Sequence, residues 1–287
     1  MSTKQRGSGW SIKLVITLYH LFGYTFIYYL MYPVTFFYFL IASNVKAALK
    51  DYYIHINKPF NNRIYFTHLR YFAITMCDRF VSRVSPQDYQ FLNDNEELLA
   101  TLKNGSILLM SHFGGWATAG NCFNDLKVAI VMHEVLLQEI KHIEEELKST
   151  QTNITIIDMS KGTAYVSFEI ASALIRNEIV GMMADRASDA KNAQSVSFFG
   201  QKAHFNKNPF VMAYKTQKPI ICILFVYQHP QCYKIEFIKI TMDKQKDQTS
   251  EIEKAMQAYV DFLASIVSKN PEQWFNFYPF WKEAPCN

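Results

Sequence analysis

Downstream of about residue 100 the chain alternates short apolar runs with segments whose apolar residues recur at helical spacing. The runs at 105–111, 127–134, 153–159 and 178–185 read as buried strands. The segments at about 116–126, 135–150 and 162–177 read as helices, the second with a charged face at Glu144, Glu145 and Glu146. Two further strands, 219–228 and 232–240, meet at a turn over His229–Gln231, and a long helix covers 249–269. Strands separated by helices form β-α-β units. The pattern therefore predicts an α/β fold with a mostly parallel central sheet flanked by helices. The final strand pair, with its short turn, is expected to be antiparallel.

The first fifty residues follow a different rule. No charged residue lies between Lys13 and Lys46, and the apolar run from Leu14 to Ala42 exceeds the roughly 20 helical residues that cross a 30 Å hydrocarbon core. A secretory signal is disfavoured, because its apolar region is typically 7–15 residues. The competing reading is a buried helix pair of a soluble core. Residues 1–45 are accordingly expected to be a membrane-associated helical anchor and 46–287 an α/β domain, linked by a polar, partly helical connector at about 44–100. Both flanks are basic (Lys4, Arg6 and Lys13 before; Lys46, Lys50, Lys58 and Arg63 after), so charge does not orient the segment. Gly23 and Pro33 are candidate break points, and a re-entrant pair fits as well as one crossing.

Composition narrows the class further. Charged residues are 19% and the net charge is +4, which leaves no basic footprint for nucleic acid. Aromatics reach 15% of the chain, so there is unusual ring surface to cover. The five cysteines show no C-x-x-C spacing and read as reduced, in a cytosolic-facing body with no metal site.

In a parallel sheet the carboxyl ends of the strands share one edge, where sites form. His112, Glu134, Asp158 and Asp185 stand just beyond the first four strands. His112 opens the segment His112-Phe113-Gly114-Gly115-Trp116, in which two glycines let the backbone approach a ligand and a helix start offers free N–H groups. That combination suits acyl transfer: a base for the acceptor, and dipoles for the forming oxyanion. His68, His133, His142, His204 and His229 read as structural or surface residues. No G-x-S-x-G elbow accompanies the His-Phe-Gly-Gly run, so an α/β-hydrolase lacks its nucleophile.

The same segment resembles the His-x-Gly-Asn-Trp-Glu motif of the bacterial lipid A late acyltransferases, the lauroyl and myristoyl transferases of the lysophospholipid acyltransferase superfamily. Arg6-Gly7-Ser8 with the apolar run is similar to that family's anchor. Asp185-Arg186 stands where the family has Asp-Gln, and Ser197-Phe198-Phe199-Gly200 resembles its Pro-Phe-Phe-Gly block. Pro271-Glu272-Gln273-Trp274 with Trp281-Lys282 resembles its C-terminal block. The resemblance implies transfer of a fatty acyl chain from acyl carrier protein or acyl-CoA to a lipid A precursor, aminolipid or lysolipid, at the cytoplasmic face of the inner membrane. The donor is a substrate, so no cofactor is implied. His112 would be the general base. Gly114, Gly115, Trp116, Arg186, Phe198, Phe199, Gly200 and Lys207 would contact substrate.

Three positions depart from the family. Its histidine is paired with a carboxylate five residues on, and here that residue is Ala117. Asp185 and Glu134 are the expected substitutes. Pro279-Phe280 replaces a basic Arg-Arg, pointing to a less anionic acceptor, and Asn206-Lys207-Asn208 replaces a glycine-bearing turn. The alternative function is a lipid-binding or scaffold protein that kept the fold and lost the reaction.

Overall fold

The computed structural model describes residues 9–93, 101–123, 126–132, 153–187 and 190–282. Helix α1 (Gly9–Ile41) is broken at Gly23, whose φ of 74° and ψ of 178° are non-helical, while Pro33 is accommodated inside the second half. Glycine adopts that backbone without a Cβ clash, which is why the break falls there. Ile12, Ile16, Ile27 and Met31 turn inward. Trp10, Leu21, Tyr29, Phe36, Phe37 and Leu40 stay exposed. Over Trp10–Ile41 the helix is long and apolar enough to cross a membrane.

The region read as a connector is an integral part of the fold. Helix α2 (Ser43–His55) is followed by α3 (Asn62–Val84), which is capped by the Asn61 side chain accepting from the Ile64 N–H and packs along α1. Its polarity concealed this, because its buried positions include His68, Thr75, Asp78 and Ser82. Buried polar groups of this kind are tolerated only with partners or at functional sites.

The central sheet contains β1 (Gln90–Leu92), β2 (Ser106–Met110), β3 (Val128–Met132), β4 (Ile154–Asp158), β5 (Ile179–Met183), β8 (Ile220–His229) and β9 (Cys232–Ile240). Their order is β1-β9-β8-β2-β5-β3-β4. The five strands from β8 to β4 are mutually parallel, and β9 returns antiparallel to β8, as the pattern predicts. A second sheet is the hairpin of β6 (Ala193–Phe198) and β7 (Gln201–Asn206), which the hydrophobic pattern did not announce. Its turn residues Phe199 and Gly200 both have positive φ, 51° and 76°, the conformation of the tight turns that match strand twist.

Helices α4 (Thr163–Ile175), α5 (Asn208–Thr216) and α6 (Gln248–Lys269) complete the body. Alternate residues of β8 serve two cores. Ile220, Cys222, Leu224 and Val226 face the helices α4–α6, whereas Ile221, Ile223, Phe225 and Tyr227 face α1 and α3. The helix expected at 135–150 lies outside the described residues.

Candidate active site

Strands β2 and β5 are neighbours in register, with Met110 opposite Met183. Two residues further along each chain, His112 and Asp185 therefore stand opposite one another at the carboxyl edge of the sheet. The His112 Nδ1 lies 3.0 Å from Asp185 Oδ1 and 3.1 Å from Oδ2, and the His112 backbone N–H donates to Oδ2 at 2.8 Å. The Trp274 indole N–H donates to the same oxygen at 3.3 Å. Asp185 is 1% exposed, whereas the His112 side chain is 22% exposed. The carboxylate is shielded while the imidazole has an open edge.

Burial by itself would raise the Asp185 pKa. The charge and hydrogen bonds of His112, with the nearby Arg186, outweigh it and hold the carboxyl at about 2. An ionised carboxylate only accepts, so the ring hydrogen must sit on Nδ1. The Nε2 lone pair is left facing outward, with no hydrogen-bond partner among the described residues. The Trp116 ring meets the imidazole edge-on at 5.1 Å.

The glycine loop is fixed against the sheet through its own amides. The Gly114 N–H donates to the Gln273 carbonyl and the Gly115 N–H to the Phe225 carbonyl, both at 2.8 Å, and the Trp116 N–H donates to the Phe113 carbonyl at 3.2 Å. Gly114 has a φ of +52°, and a Cβ there would lie 1.9 Å from the Phe225 oxygen. A Cβ on Gly115 would lie 2.4 Å from the Tyr233 ring. Glycine is required because the loop presses against β8 and β9, and its amides are spent holding it there. The expected helix after it is a 3-10 helix, Trp116–Phe123.

The C-terminal segment contributes more than family likeness suggested. The Gln273 side chain accepts from the Tyr227 N–H and donates to the Tyr227 carbonyl, while the Phe275 N–H donates to the His112 carbonyl at 2.8 Å. Residues 273–275 thus brace both sides of the His112 loop. Trp274 and Asn276 were not anticipated as site residues. Asn276 is buried, with both polar side-chain atoms unpartnered.

Among the other expected residues, Arg186 donates through Nη2 to the Phe275 carbonyl at 2.6 Å, stacks on Tyr278 and keeps a buried, unpartnered Nε. Lys207 lies beside the end of β5, where the adjacent Asn206 donates to the Met183 and Ala184 carbonyls. Phe198 is fully buried behind Trp274, at 5.4 Å, and Gly200 occupies the exposed hairpin turn after Phe199. Neither Phe198, Phe199 nor Gly200 is among the hydrogen-bond or ring partners of His112 and Asp185. Asp158 caps its own 3-10 turn by accepting from the Ser160 N–H. Glu134 lies outside the described residues.

A sequence model of the bacterial lipid A biosynthesis acyltransferases matches residues 64–283, running from α3 through the C-terminal brace. The chain belongs to that family. It is an acyltransferase of the lipid-modifying type. Among curated proteins none matches the chain. In this acyltransferase position 117 carries no carboxylate, and the imidazole nitrogen that such a group would hold is bonded to Asp185 instead.

Proposed function

We propose that the enzyme is anchored to the membrane by α1 and moves a fatty acyl chain from the thioester of acyl carrier protein or coenzyme A to a hydroxyl or amine of a membrane lipid. In this reading His112 Nε2 takes the proton from the acceptor, whose oxygen or nitrogen attacks the thioester carbonyl carbon. The tetrahedral intermediate collapses with cleavage of the C–S bond, and the imidazolium returns its proton to the departing thiolate. Asp185 holds the imidazole in the required tautomer and stabilises its charged form, a role established for the carboxylate of serine-protease triads. The carrying observation is the buried His112–Asp185 pair with an open Nε2.

The amides of residues 114–116 are already bonded, so this reading assigns the oxyanion to Arg186 Nε and Asn276 Nδ2, buried donors without a partner. The exposed rings of Tyr29, Phe36 and Phe37 on α1 suit the headgroup level of a bilayer. Cytoplasmic orientation follows from the donors, which are soluble cytosolic thioesters.

The test uses detergent-solubilised enzyme, acyl carrier protein or coenzyme A carrying a labelled acyl chain, and a panel of lipid A precursors, aminolipids and lysolipids. Transfer that His112→Ala abolishes supports the reading. Equal transfer by wild type and His112→Ala, or none to any acceptor, removes it.

A further inference from the structure

Arg70 on α3 packs against two rings of α1. Its guanidinium carbon lies 4.4 Å from the ring centre of Tyr28 and 4.0 Å from that of Tyr32. The two rings lie 6.3 Å apart and are inclined at 82°, so they meet the guanidinium from adjoining sides, and its N–H donors still need acceptors. Nε and Nη2 are buried and have none.

A third unmatched donor lies close by. The Tyr227 hydroxyl, at the carboxyl end of β8, is also buried without a partner. Tyr71, the next residue after Arg70, packs against the Tyr227 ring at 5.4 Å, and the Arg70 charge reaches the Tyr227 phenol. The acids of this region do not answer them. Asp78 accepts from the hydroxyls of Tyr24, Tyr89 and Tyr233, and neither Asp78 nor Glu272 forms an ion pair with Arg70 among the described residues. Three buried donors with no acceptor form the complement of an oxyanion, since burying such groups unpaired is costly.

The strand end that carries Tyr227 is tied to the His112 loop. Tyr227 is clamped by Gln273, whose carbonyl receives the Gly114 N–H. One wall is α1, where Tyr32 is 41% exposed and stacks on the still more exposed Tyr29. An anion reaching Arg70 from that side arrives along an aromatic face suited to the interface of a bilayer.

We propose that Arg70 and Tyr227 form a seat for the phosphate group of a membrane lipid. The proposal rests on the membrane-facing lipid acyltransferase reading above.

The experiment measures retention of phosphatidic acid by the full chain in phosphatidylcholine nanodiscs, using native mass spectrometry, for wild type, Arg70→Gln, Tyr227→Phe and His112→Ala. Loss of one hydrogen bond to a charged group predicts about tenfold weaker retention for Tyr227→Phe, and loss of the guanidinium about 100-fold for Arg70→Gln. His112→Ala should retain the lipid normally. Tyr227→Phe removes a hydroxyl that has no protein partner, so its thermal midpoint should not fall and it decides the matter if Arg70→Gln does not fold. Retention unaffected by Tyr227→Phe overturns the proposal. Displacement of phosphatidic acid by inorganic phosphate or coenzyme A at matched concentration overturns the lipid as the phosphate's source. Loss of retention in the two variants without acyl transfer by any form would uphold the seat and remove the proposed reaction. Transfer with unchanged retention would do the reverse.

Discussion

Replacing Asp185 with asparagine changes one atom and should nearly silence the enzyme. Two fixed donors, the His112 backbone N–H and the Trp274 indole N–H, converge on Oδ2 and can only donate. The asparagine oxygen must therefore take the Oδ2 position, which places Nδ2 where Oδ1 now lies 3.0 Å from the imidazole Nδ1. Two donors then face each other, and the ring responds by moving its hydrogen to Nε2, the nitrogen required as the base. In a serine-protease triad the equivalent exchange lowers kcat about 10⁴-fold, or roughly 5.5 kcal/mol in the barrier. A loss of that order is expected here. Charge-assisted bonds worth about 1.5–3 kcal/mol each are lost, but the cost of burying a charge goes with them, so the fold should survive. The assay is the initial rate of acyl transfer at saturating donor and acceptor, with the thermal midpoint as control and His112→Ala as the floor. The double variant should be no slower than His112→Ala, because the two groups act as a unit. A folded Asp185→Asn enzyme that keeps more than about one-tenth of the wild-type rate would refute the reasoning.

The other expectations are as direct. Ala117→Glu should bring no large gain in rate, since Asp185 already occupies the imidazole Nδ1; a gain of about a hundredfold, the scale of a general-base contribution, would mean the present pair is poorly placed. Gly114→Ala should abolish stable folding, because its Cβ would lie 1.9 Å from the Phe225 oxygen at a φ of +52°, and an unchanged melting transition would contradict that packing. Asp185 is ionised well below neutral pH. Its depressed pKa contributes stability that is present above about pH 4 and lost as pH falls toward 2, so it should set no limb of a rate profile measured between pH 5 and 9. Asp78 behaves in the opposite sense: burial raises its carboxyl to about 6 against the pull of three phenol donors. Stability should therefore fall as pH climbs from about 4 to about 6, by at most about 3 kcal/mol (about 1.4 kcal/mol per pKa unit), and denaturation of Asp78→Asn should lack that slope.

Hydrophobic spacing was sufficient to reveal the alternation of strands and helices, the antiparallel last pair, the apolar N-terminal helix and the position of His112 beyond β2. These are local properties, carried by periodicity over ten or twenty residues. The hairpin β6–β7 escaped it because its strands mix polar with apolar residues, and α3 escaped because its buried face carries His68, Thr75 and Asp78. Three carboxylates stood at the expected sheet edge, and nothing in their spacing ranked them. Adjacency of β2 and β5 did so for Asp185: those strands are far apart in the chain and share a register only because their flanking helices can be buried on both faces in that order. The glycines show the same division. Their presence was plain in the chain, but whether they admit a ligand or a neighbouring strand depends on where β8 and β9 lie, and contacts at that separation leave no trace in local pattern.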